Sequence, residues 1–393
     1  MSRFHSYIGS AIKLIDTYIA GKPLSLHIRS FFGADRKFGS RDRRVISSLC
    51  YYYFRIGHAL KDKTTQEKIL AGLFLCENQP NELLQFFRPD LNTNIVLPLA
   101  EKVSLAGLNE HDIFPFTDDL GEGIDPQNFR YSFFRQPQLY LRVRPGRKDR
   151  VINKLQEAAM PFEWIGDDCI TLANNAAVDK VLQLNKEVVV QDLSSQKVLD
   201  HIAVEPGFLN SIKKITAWDC CAASGGKSIL LFDKLKGGLQ LTVSDIRENS
   251  LLNLRTRLQQ AGININRSFV TDLSASSGME AAEKFDAIIC DVPCSGSGTW
   301  GRNPEQLLFF KRKTIDEYVL RQQQIVSNVI PHLQEGGLFF YITCSAFKKE
   351  NEGLVSFIQQ KSPALQLLEM HYLKGYEHAA DTMFVAVFSS IVS

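Results

Sequence analysis

Between residues 214 and 344, short apolar runs alternate with stretches that have helical spacing, and this alternation limits the fold of the 393-residue chain more than any other feature. The runs cover residues 215–220, 239–244, 268–270, 285–290 and 337–342. Strands that alternate with helices predict an α/β fold, in which a twisted, mainly parallel sheet carries helices on both faces. Ligands of such sheets bind beyond the carboxyl ends of the strands. The residues that follow these runs are therefore the candidate site. Residues 365–368 and 383–389 are expected to add two edge strands.

Residues 1–125 predict a helical domain. Apolar residues recur at helical spacing from Ile8 to Ile19, and a second apolar face runs from Arg44 to Leu60. Between them lies a basic cluster, residues 36–44, in which Ser40 is a candidate N-cap. Such a cluster can bind phosphate, although an ordinary solvated helix start is the simpler interpretation. The acidic stretch 108–127, rich in turn formers, predicts a linker.

Residues 130–190 predict a small α+β module. A strand pattern at 139–144 precedes a helical pattern at 148–159, and a second strand-like piece covers 187–191. Basic side chains are interleaved with aromatic ones, which suits single-stranded RNA but also fits an ordinary domain surface. They are Arg135, Arg142, Arg144, Arg147, Lys148 and Arg150, with Phe133, Phe134 and Tyr140. The remaining residues, 191–393, are expected to form the catalytic domain.

The overall composition excludes little. A net charge of +2 neither requires nor excludes a nucleic-acid partner, because the local charge of one face matters more than the total. The eight cysteines lack a paired zinc spacing, so no metal site is expected. The amino terminus has no secretion-signal pattern, and no apolar run approaches the roughly 18 residues of a membrane span. We therefore expect a cytoplasmic protein with reduced thiols and no membrane partner.

A turn of small residues, 219–228, joins the first strand to its helix and is a candidate cofactor site. Small side chains let a ligand approach the backbone, and free amides at a helix start attract anions. A phosphate-binding loop of the nucleotide triphosphatases is unsupported, because Cys221 stands where its first glycine should be. Asp245 and Asp272 follow the next two strands, where they can bind a nucleoside or cap the following helix. Together these features favour an adenosine-containing cofactor, either S-adenosylmethionine or a dinucleotide.

Two cysteines follow strands within short polar segments, Cys294 after Asp291 and Cys344 after Thr343. A lone cysteine is more often a buried apolar residue, but the flanking residues here favour chemistry. A thiolate that adds to carbon 6 of a pyrimidine makes carbon 5 nucleophilic towards a methyl donor. A base must then remove the carbon 5 proton so that the thiolate can leave, and an acid near the ring stabilises the developing charge.

At these residues the chain resembles the RsmB-like, Nop/Sun family of RNA 5-cytosine methyltransferases. The resemblance covers most of the chain, and the matching segments occur in the order of the family. They are residues 191–196, 219–227, 244–245, 271–272, 291–298, 302–305, 343–345 and 350–352. It implies a class I, Rossmann-like methyltransferase domain, a module of RNA-recognition type and a helical head like NusB.

The resemblance also implies roles for individual residues. Cys344 is the expected nucleophile, Cys294 assists release of the methylated base, and Asp291 contacts the cytosine or the cofactor, with Lys227 lining the site. S-adenosylmethionine is the expected cofactor, and its expected binding residues are Cys221, Ala222, Ala223, Ser224, Gly225, Gly226, Lys227, Asp245, Asp272 and Asp291. Ser224 replaces a usual proline and Arg144 a usual asparagine. These departures make the turn less rigid and change the expected RNA contacts.

The sequence therefore predicts an S-adenosylmethionine-dependent methyltransferase that acts on carbon 5 of an RNA cytosine. The NusB-like head favours small-subunit ribosomal RNA, with transfer RNA as an alternative, and a monomer is expected. A rival interpretation is a ribosome-assembly factor that binds RNA and cofactor without turnover. A nicotinamide dehydrogenase is the other enzyme that the cofactor turn allows.

Overall fold

The structure is a computed structural model that describes residues 2–34, 37–203, 214–280 and 282–391. Contacts divide the chain into two compact units. The helical unit contains residues 1–120, 125–136 and 299–312, and the α/β unit contains residues 121–124, 137–298 and 313–393. Arg36 of the basic cluster lies outside the described residues.

The described elements alternate between the two units. The helices are α1 Arg3–Asp16, α2 Leu24–Ala34, α3 Ser40–Arg55, α4 Thr65–Cys76, α5 Glu82–Phe87, α6 Pro89–Thr93, α7 Leu99–Leu105, α8 Glu110–Ile113, α9 Pro126–Ser132, α10 Lys148–Glu157, α11 Leu193–Lys197, α12 Gly226–Lys234, α13 Glu248–Gln260, α14 Glu305–Phe309, α15 Lys313–Val329 and α16 Glu352–Lys361. The strands are β1 Leu139–Val143, β2 Glu163–Ile165, β3 Cys169–Leu172, β4 Val188–Val190, β5 Ile215–Asp219, β6 Leu239–Asp245, β7 Ile265–Val270, β8 Phe285–Asp291, β9 Leu333–Thr343, β10 Leu365–Leu373 and β11 Met383–Ser390. Short 3₁₀ turns cover Thr117–Asp119, Val178–Lys180, Asp200–Ala203, Ser297–Thr299, Ile330–His332, Lys348–Glu350 and Gly375–His378.

Helices α1 and α3 confirm the two apolar faces of the amino-terminal region, with two corrections. Ile19 lies beyond α1 and is 75% exposed, because the helix has ended before it. Ser40 is the first residue of α3 and not its N-cap. Gly39 is the N-cap, and its backbone N–H donates to the Asp42 carboxylate at 3.0 Å. Part of the basic cluster therefore serves the helix start.

The acidic stretch 108–127 is not an extended linker, and this prediction was wrong. It forms α8, a 3₁₀ turn and the start of α9, and it buries Ile113, Phe114 and Phe116 in the helical unit. Burial of such large apolar side chains contributes roughly 1.5–3 kcal/mol each, which outweighs the turn-forming tendency of the neighbouring residues.

Residues 299–312 pack with the helical unit although they lie within residues 191–393, the segment expected to form the catalytic domain. Within this insert, the buried Glu305 accepts a hydrogen bond from the Leu24 backbone N–H at 3.1 Å. The His58 ring bonds the Leu307 carbonyl at 3.0 Å, and Trp300 packs on Phe114. The catalytic domain expected from the sequence, 191–393, is therefore not continuous, because its residues 299–312 belong to the helical unit.

A seven-stranded sheet forms the centre of the α/β unit, in the order β10-β11-β9-β8-β5-β6-β7. Strands β7, β6, β5, β8 and β9 are parallel, whereas β11 and β10 run antiparallel. The predicted parallel α/β sheet is confirmed. The two carboxyl-terminal strands were both predicted at the edge, but β11 is inserted between β9 and β10. Its apolar residues are consequently buried on both faces.

The small module is a separate four-stranded antiparallel sheet, β2-β3-β1-β4, with α10 packed on it. Strand patterns predicted β1 and β4, while the short β2 and β3 were missed. Arg142 and Arg144 extend from this module to Asp233 of α12 at 2.6 and 2.8 Å. The Arg144 guanidinium also donates to the Ala261 carbonyl at 2.7 Å. These two arginines hold the module on the larger sheet, and the RNA contact expected of them is not available.

Replacing Asp233 with alanine is expected to lower the free energy of unfolding by about 3–5 kcal/mol, because it leaves buried guanidinium groups without a counter-ion. The Arg142 and Asp233 side chains are 2% and 6% exposed. Urea denaturation of the purified variant measures this loss. Asp90→Ala is the control, because its pair with Arg88 is largely exposed and contributes about 0–1 kcal/mol. Equal losses of unfolding free energy in the two variants would show that the buried ion pair stabilises the protein no more than the exposed one.

Candidate active site

The carboxyl ends of β5, β6, β8 and β9 meet at one edge of the sheet, where a cavity of about 400 Å³ opens. This volume is in the range of ligand pockets, which is roughly 300–1,000 Å³. The cavity is lined by Cys220, Cys221, Ala223, Asp245, Ile246, Arg247, Thr271, Asp272, Leu273, Asp291, Val292, Pro293, Cys294, Arg321, Ile325 and Cys344. The parallel sheet therefore brings the nucleoside-binding candidates and both candidate cysteines to one space.

The turn between β5 and α12 adopts left-handed backbone conformations. Ala223 has φ +45°, and Gly225, the N-cap of α12, has φ +79°. A Cβ at Gly225 would also lie 3.0 Å from the Leu254 side chain, so position 225 requires glycine. The turn is held at the sheet edge by the Ala222 N–H, which donates to the Ser244 carbonyl at 2.9 Å.

Ser224, which replaces the family proline, is fixed by a neighbouring side chain. The Arg257 guanidinium donates to the Ser224 hydroxyl at 2.7 Å and to the Ser224 carbonyl at 2.8 Å. Arg257 also donates to the Asn185 side chain of the small module. These hydrogen bonds restrain the turn where a proline ring would otherwise do so.

The two carboxylates that follow β6 and β7 both face the cavity and both shape their own loops. Asp245 accepts hydrogen bonds from the Ala223 N–H at 2.9 Å and the Arg247 N–H at 2.8 Å. Asp272 accepts from the backbone and hydroxyl of Ser274, and these bonds lower the pKa of the Asp272 carboxyl. Asp245 and Asp272 therefore shape their loops and line the cavity, but neither is the N-cap of a described helix, and nucleoside binding by them stays a prediction.

Asp219, at the end of β5, is a fully buried carboxyl beside the cavity. Burial raises its pKa to about 7, although a hydrogen bond from Ser228 at 2.6 Å opposes the shift. Its second oxygen has no hydrogen-bond partner among the described residues. Below about pH 7 the protonated form is therefore favoured in the folded chain.

The folded protein is expected to lose stability as the pH rises from about 4 to 7, because Asp219 keeps a proton that the unfolded chain releases. Asp219→Asn removes this titration and keeps an acceptor for Ser228. Between pH 4 and 8 the wild type should lose roughly 1–4 kcal/mol more than the variant. Urea denaturation at several pH values measures the difference. If the free energies of unfolding of the two proteins depend on pH in the same way, Asp219 is ionised in the folded protein.

Lys227 and Asp291 form a partly buried ion pair behind the cysteines. The Lys227 Nζ donates to the Asp291 Oδ2 at 2.6 Å. Burial lowers the pKa of the Lys227 ammonium, but the charge and hydrogen bond of the Asp291 carboxylate outweigh burial and raise it above its usual value. A permanent cation therefore lies near Cys344, whose negative form also favours the Lys227 charge.

Cys294 and Cys344 lie with their Sγ atoms 3.3 Å apart. Both are partly exposed and free. The hydrogen bond with Cys344, together with burial and the nearby Glu350 charge, raises the pKa of the Cys294 thiol well above its usual range. The two neighbouring sulfurs therefore do not both ionise, and a proton is held between them.

The structure brings most of the sequence candidates together and adds others. Residues 222 and 224–227 form the turn behind the cavity, whereas the other candidates line it. Five lining residues were not predicted from the sequence: Ile246 and Arg247 after β6, Leu273 after β7, and Arg321 and Ile325 of α15. Arg321 and Ile325 lie one helical turn apart on α15, and only their packing reveals that they face the cysteines. Across the described residues, no group of histidine, cysteine or acidic side chains is arranged to hold a metal ion.

A second cavity of about 350 Å³ lies between the small module and the carboxyl ends of α12 and α13. Arg147, Lys186 and Lys236 line it and form no salt bridge with a described carboxylate, while Arg144 is paired with Asp233. The unpaired basic charge of this region is thus concentrated in three exposed side chains.

The sheet order, the small-residue turn and the cavity beyond the strand ends define a class I, Rossmann-like methyltransferase domain. A family model for the 16S rRNA methyltransferases RsmB/F matches residues 207–388. These residues, slightly less than half of the chain, are similar to the methyltransferase domain of the RsmB-like, Nop/Sun family.

Three known proteins illustrate how far the likeness extends. Ribosomal RNA small subunit methyltransferase B of Xanthomonas campestris is 31% identical over 180 residues, which are 45% of this chain and 39% of that protein. The crystal structure of PH0851 covers 97% of this chain at 18% identity, with a TM-score of 0.72 and 98% of its own chain matched. NSun6 from Pyrococcus horikoshii, solved with SFG, covers 71% of this chain at 15% identity, with a TM-score of 0.59 and 97% of its own chain matched. The solved structures support the fold, and the aligned part of the chain spans half or less of the first curated relatives.

S-adenosylmethionine is the cofactor of this methyltransferase domain, and the cavity residues fit it. The Asp245 carboxylate lies where ribose hydroxyls can donate to it. The apolar side chains of Ile246 and Leu273 line the same cavity and suit an adenine ring.

In the described part of the chain, no helix is both long enough and apolar enough to cross a membrane.

Proposed function

We propose that this protein is an S-adenosylmethionine-dependent RNA methyltransferase that acts on carbon 5 of a cytosine. The observation that carries the proposal is the 3.3 Å separation of two thiols in the same cavity as the cofactor carboxylates. A methyltransferase that acts on an amino group has no need of a thiol, because the nitrogen is itself a nucleophile. Two cysteines at one site fit a carbon acceptor, which must first be activated by covalent addition.

Cys344 is the nucleophile in this proposal. Its thiolate adds to carbon 6 of the cytosine, and the electron density moves to carbon 5. Bound S-adenosylmethionine would supply the methyl group to carbon 5, and the methyl–sulfur bond would break to leave S-adenosylhomocysteine. The Lys227 ammonium, held by Asp291, lies beside the thiolate and stabilises its negative charge.

Cys294 completes the cycle. After methyl transfer the carbon 5 proton must leave, so that the electrons reform the ring double bond and the carbon 6–sulfur bond breaks. Once the Cys344 sulfur is bonded to carbon 6 and uncharged, Cys294 can release its own proton to solvent, and as a thiolate it participates in this proton removal and elimination. Asp291, at the same wall of the cavity, contacts the cytosine or the methionine end of the cofactor.

The substrate is an RNA that presents an unstacked cytosine, because the target carbon is inaccessible inside a stacked helix. Small-subunit ribosomal RNA is favoured by the names of the curated relatives, and the helical unit and the small module are the proposed RNA-binding parts. We also propose that the three domains follow the order of the chain, 1–125, 130–190 and 191–393, apart from the 299–312 insert.

Replacing Arg147 and Lys186 together with glutamine is expected to weaken RNA binding at every sequence, because these unpaired cations would contact phosphates. The slope of log affinity against log salt should fall by about 0.7 for each phosphate that the variant no longer neutralises. Filter binding over a salt series measures both effects. Lys361→Gln, an exposed lysine outside the cavity, is the control. An unchanged slope of log affinity against log salt in the double variant would show that RNA does not contact this cavity.

The decisive experiment for the function is a methyl-transfer assay. The purified chain is incubated with methyl-labelled S-adenosylmethionine and unmodified small-subunit ribosomal RNA or transfer RNA, and the RNA is digested to nucleosides. Label in 5-methylcytidine is the expected result, and the labelled pool identifies the substrate class. Label in another nucleoside, or none despite cofactor binding, would contradict the proposal.

A further inference from the structure

The backbone on both sides of Cys294 is held by two buried side chains. The Gln322 Nε2 of α15 donates to the Pro293 carbonyl at 3.1 Å, just before the cysteine. The Ser295 N–H, just after it, donates to the Glu350 Oε2 at 2.9 Å. Gln322 also donates to this carboxylate at 3.0 Å, so the two side chains form one unit.

The residues on both sides of Cys344 are held by Asn351, which follows Glu350 in the sequence. The Thr343 hydroxyl donates to the Asn351 Oδ1 at 2.6 Å. The Asn351 Nδ2 donates to the Ser345 carbonyl at 2.8 Å. The Ser345 hydroxyl returns to Glu350, donating to its Oε1 at 2.7 Å.

Both side chains are completely buried, and neither is explained by the local secondary structure. Glu350 and Asn351 are 0% exposed. Asn351 precedes α16 at the N-cap position, but its side chain caps no helical N–H. Glu350 accepts from three donors and forms no salt bridge with a described cation, and burial raises the pKa of its carboxyl. Such burial costs free energy that a surface position would avoid.

We propose that Glu350 and Asn351 are positioning residues which, with Gln322, join the two cysteine loops and hold the Cys294 and Cys344 sulfurs at working distance. The loops leave the sheet from different strands, β8 and β9, and carry the thiols 50 positions apart in sequence. Glu350 bonds a residue of each loop, so neither loop can shift without breaking a buried hydrogen bond. This inference rests on the proposed function for its catalytic meaning, but the geometry can be tested without it.

The spacing matters because proton transfer requires heavy atoms within hydrogen-bond reach. A misplacement of about 1 Å can reduce a reaction rate by roughly 10²-fold. The rate of disulfide formation reports the distance between the two sulfurs, because two thiols in contact are oxidised readily to a disulfide and two separated thiols are not. With diamide as the oxidant, the two thiols lose two protons and two electrons, and diamide is reduced to the hydrazine.

The test compares Glu350→Ala, Asn351→Ala and Glu350→Gln with the wild type. The rate of the Cys294–Cys344 disulfide under a fixed concentration of diamide is followed by mass spectrometry of alkylated peptides. The alanine variants are expected to form it at least tenfold more slowly, with affinity for S-adenosylhomocysteine unchanged within about threefold. The glutamine variant keeps one acceptor oxygen for Ser295 and Gln322 and presents an N–H to the Ser345 hydroxyl, which can accept as well as donate, so it should remain within about threefold of the wild type. Glu352→Gln, which alters a neighbouring acid bonded to Tyr372, is the matched control.

Alanine variants that bind S-adenosylhomocysteine and form the disulfide at the wild-type rate would overturn the proposal. If they do not fold, Gln322→Met decides in the same way, because it removes the bonds to Pro293 and Glu350 while preserving side-chain length. A wild type that forms the disulfide but methylates no cytosine would overturn the proposed function and leave the positioning result intact. For an active enzyme, kcat should fall with the disulfide rate across the variants while KM for the cofactor stays constant.

Discussion

Cys344→Ala is expected to abolish methyl transfer, lowering kcat by a factor on the order of 10⁴ or more, because no other group activates carbon 5. The Cys294 sulfur lies 3.3 Å from the lost sulfur and is held by a different loop, so it is not placed to attack carbon 6 in its stead. Single-turnover transfer of labelled methyl groups to RNA measures the loss. Binding of S-adenosylhomocysteine should be retained, because the Asp245 side of the cavity is untouched.

The control for this prediction is Cys76→Ala, which removes a thiol from the helical unit. Its transfer rate should match that of the wild type. A Cys344→Ala protein with full activity would contradict covalent catalysis through this residue. Loss of cofactor binding in that variant would instead mean that the substitution had disturbed the cavity.

Cys294→Ala is expected to accumulate a covalent complex between protein and RNA. The addition and methyl-transfer steps need only Cys344, whereas release needs the proton transfer in which Cys294 participates. A band of lower mobility that contains both labelled RNA and protein should appear on a denaturing gel, and it should disappear after nuclease digestion. The yield should approach one adduct per active protein, compared with a small steady-state fraction in the wild type.

The double variant Cys294→Ala with Cys344→Ala tests the identity of the bond. It should form no adduct, since the attacking sulfur is absent. An adduct that persists in the double variant would assign the bond to a different residue, such as Cys221 at the same cavity. Rapid turnover of Cys294→Ala without an adduct would assign release to another base.

Much of the fold was accessible from local patterns. Period-two and continuous apolar runs located β1, β5, β6, β8, β9 and β11, because each buries side chains in a way that its own sequence records. The short strands β2 and β3 were missed, since three or four residues carry too little pattern. The stretch 108–127 was misjudged because its buried aromatics interrupt a sequence rich in turn formers.

The candidate site could likewise be predicted from the sequence only in part. The positions of Asp245, Asp291, Cys294 and Cys344 after strands could be predicted, because parallel strands end at a common edge. The ion pairs of Arg142 and Arg144 with Asp233 could not be predicted, because the partners are about 90 residues apart and the same arginines equally suit an RNA surface. Packing alone assigned them to the interior of the α/β unit.

The sequence by itself determined the class of fold, the edge of the sheet that carries the chemistry and the two thiols that occupy it. These properties depend on local periodicity and on which residue follows each strand, and both can be read along the chain. The tertiary structure alone decided the 3.3 Å contact between the thiols and its support by Glu350 and Asn351. Such contacts join residues that are distant in sequence, and their distances follow from how the strands and helices pack against one another.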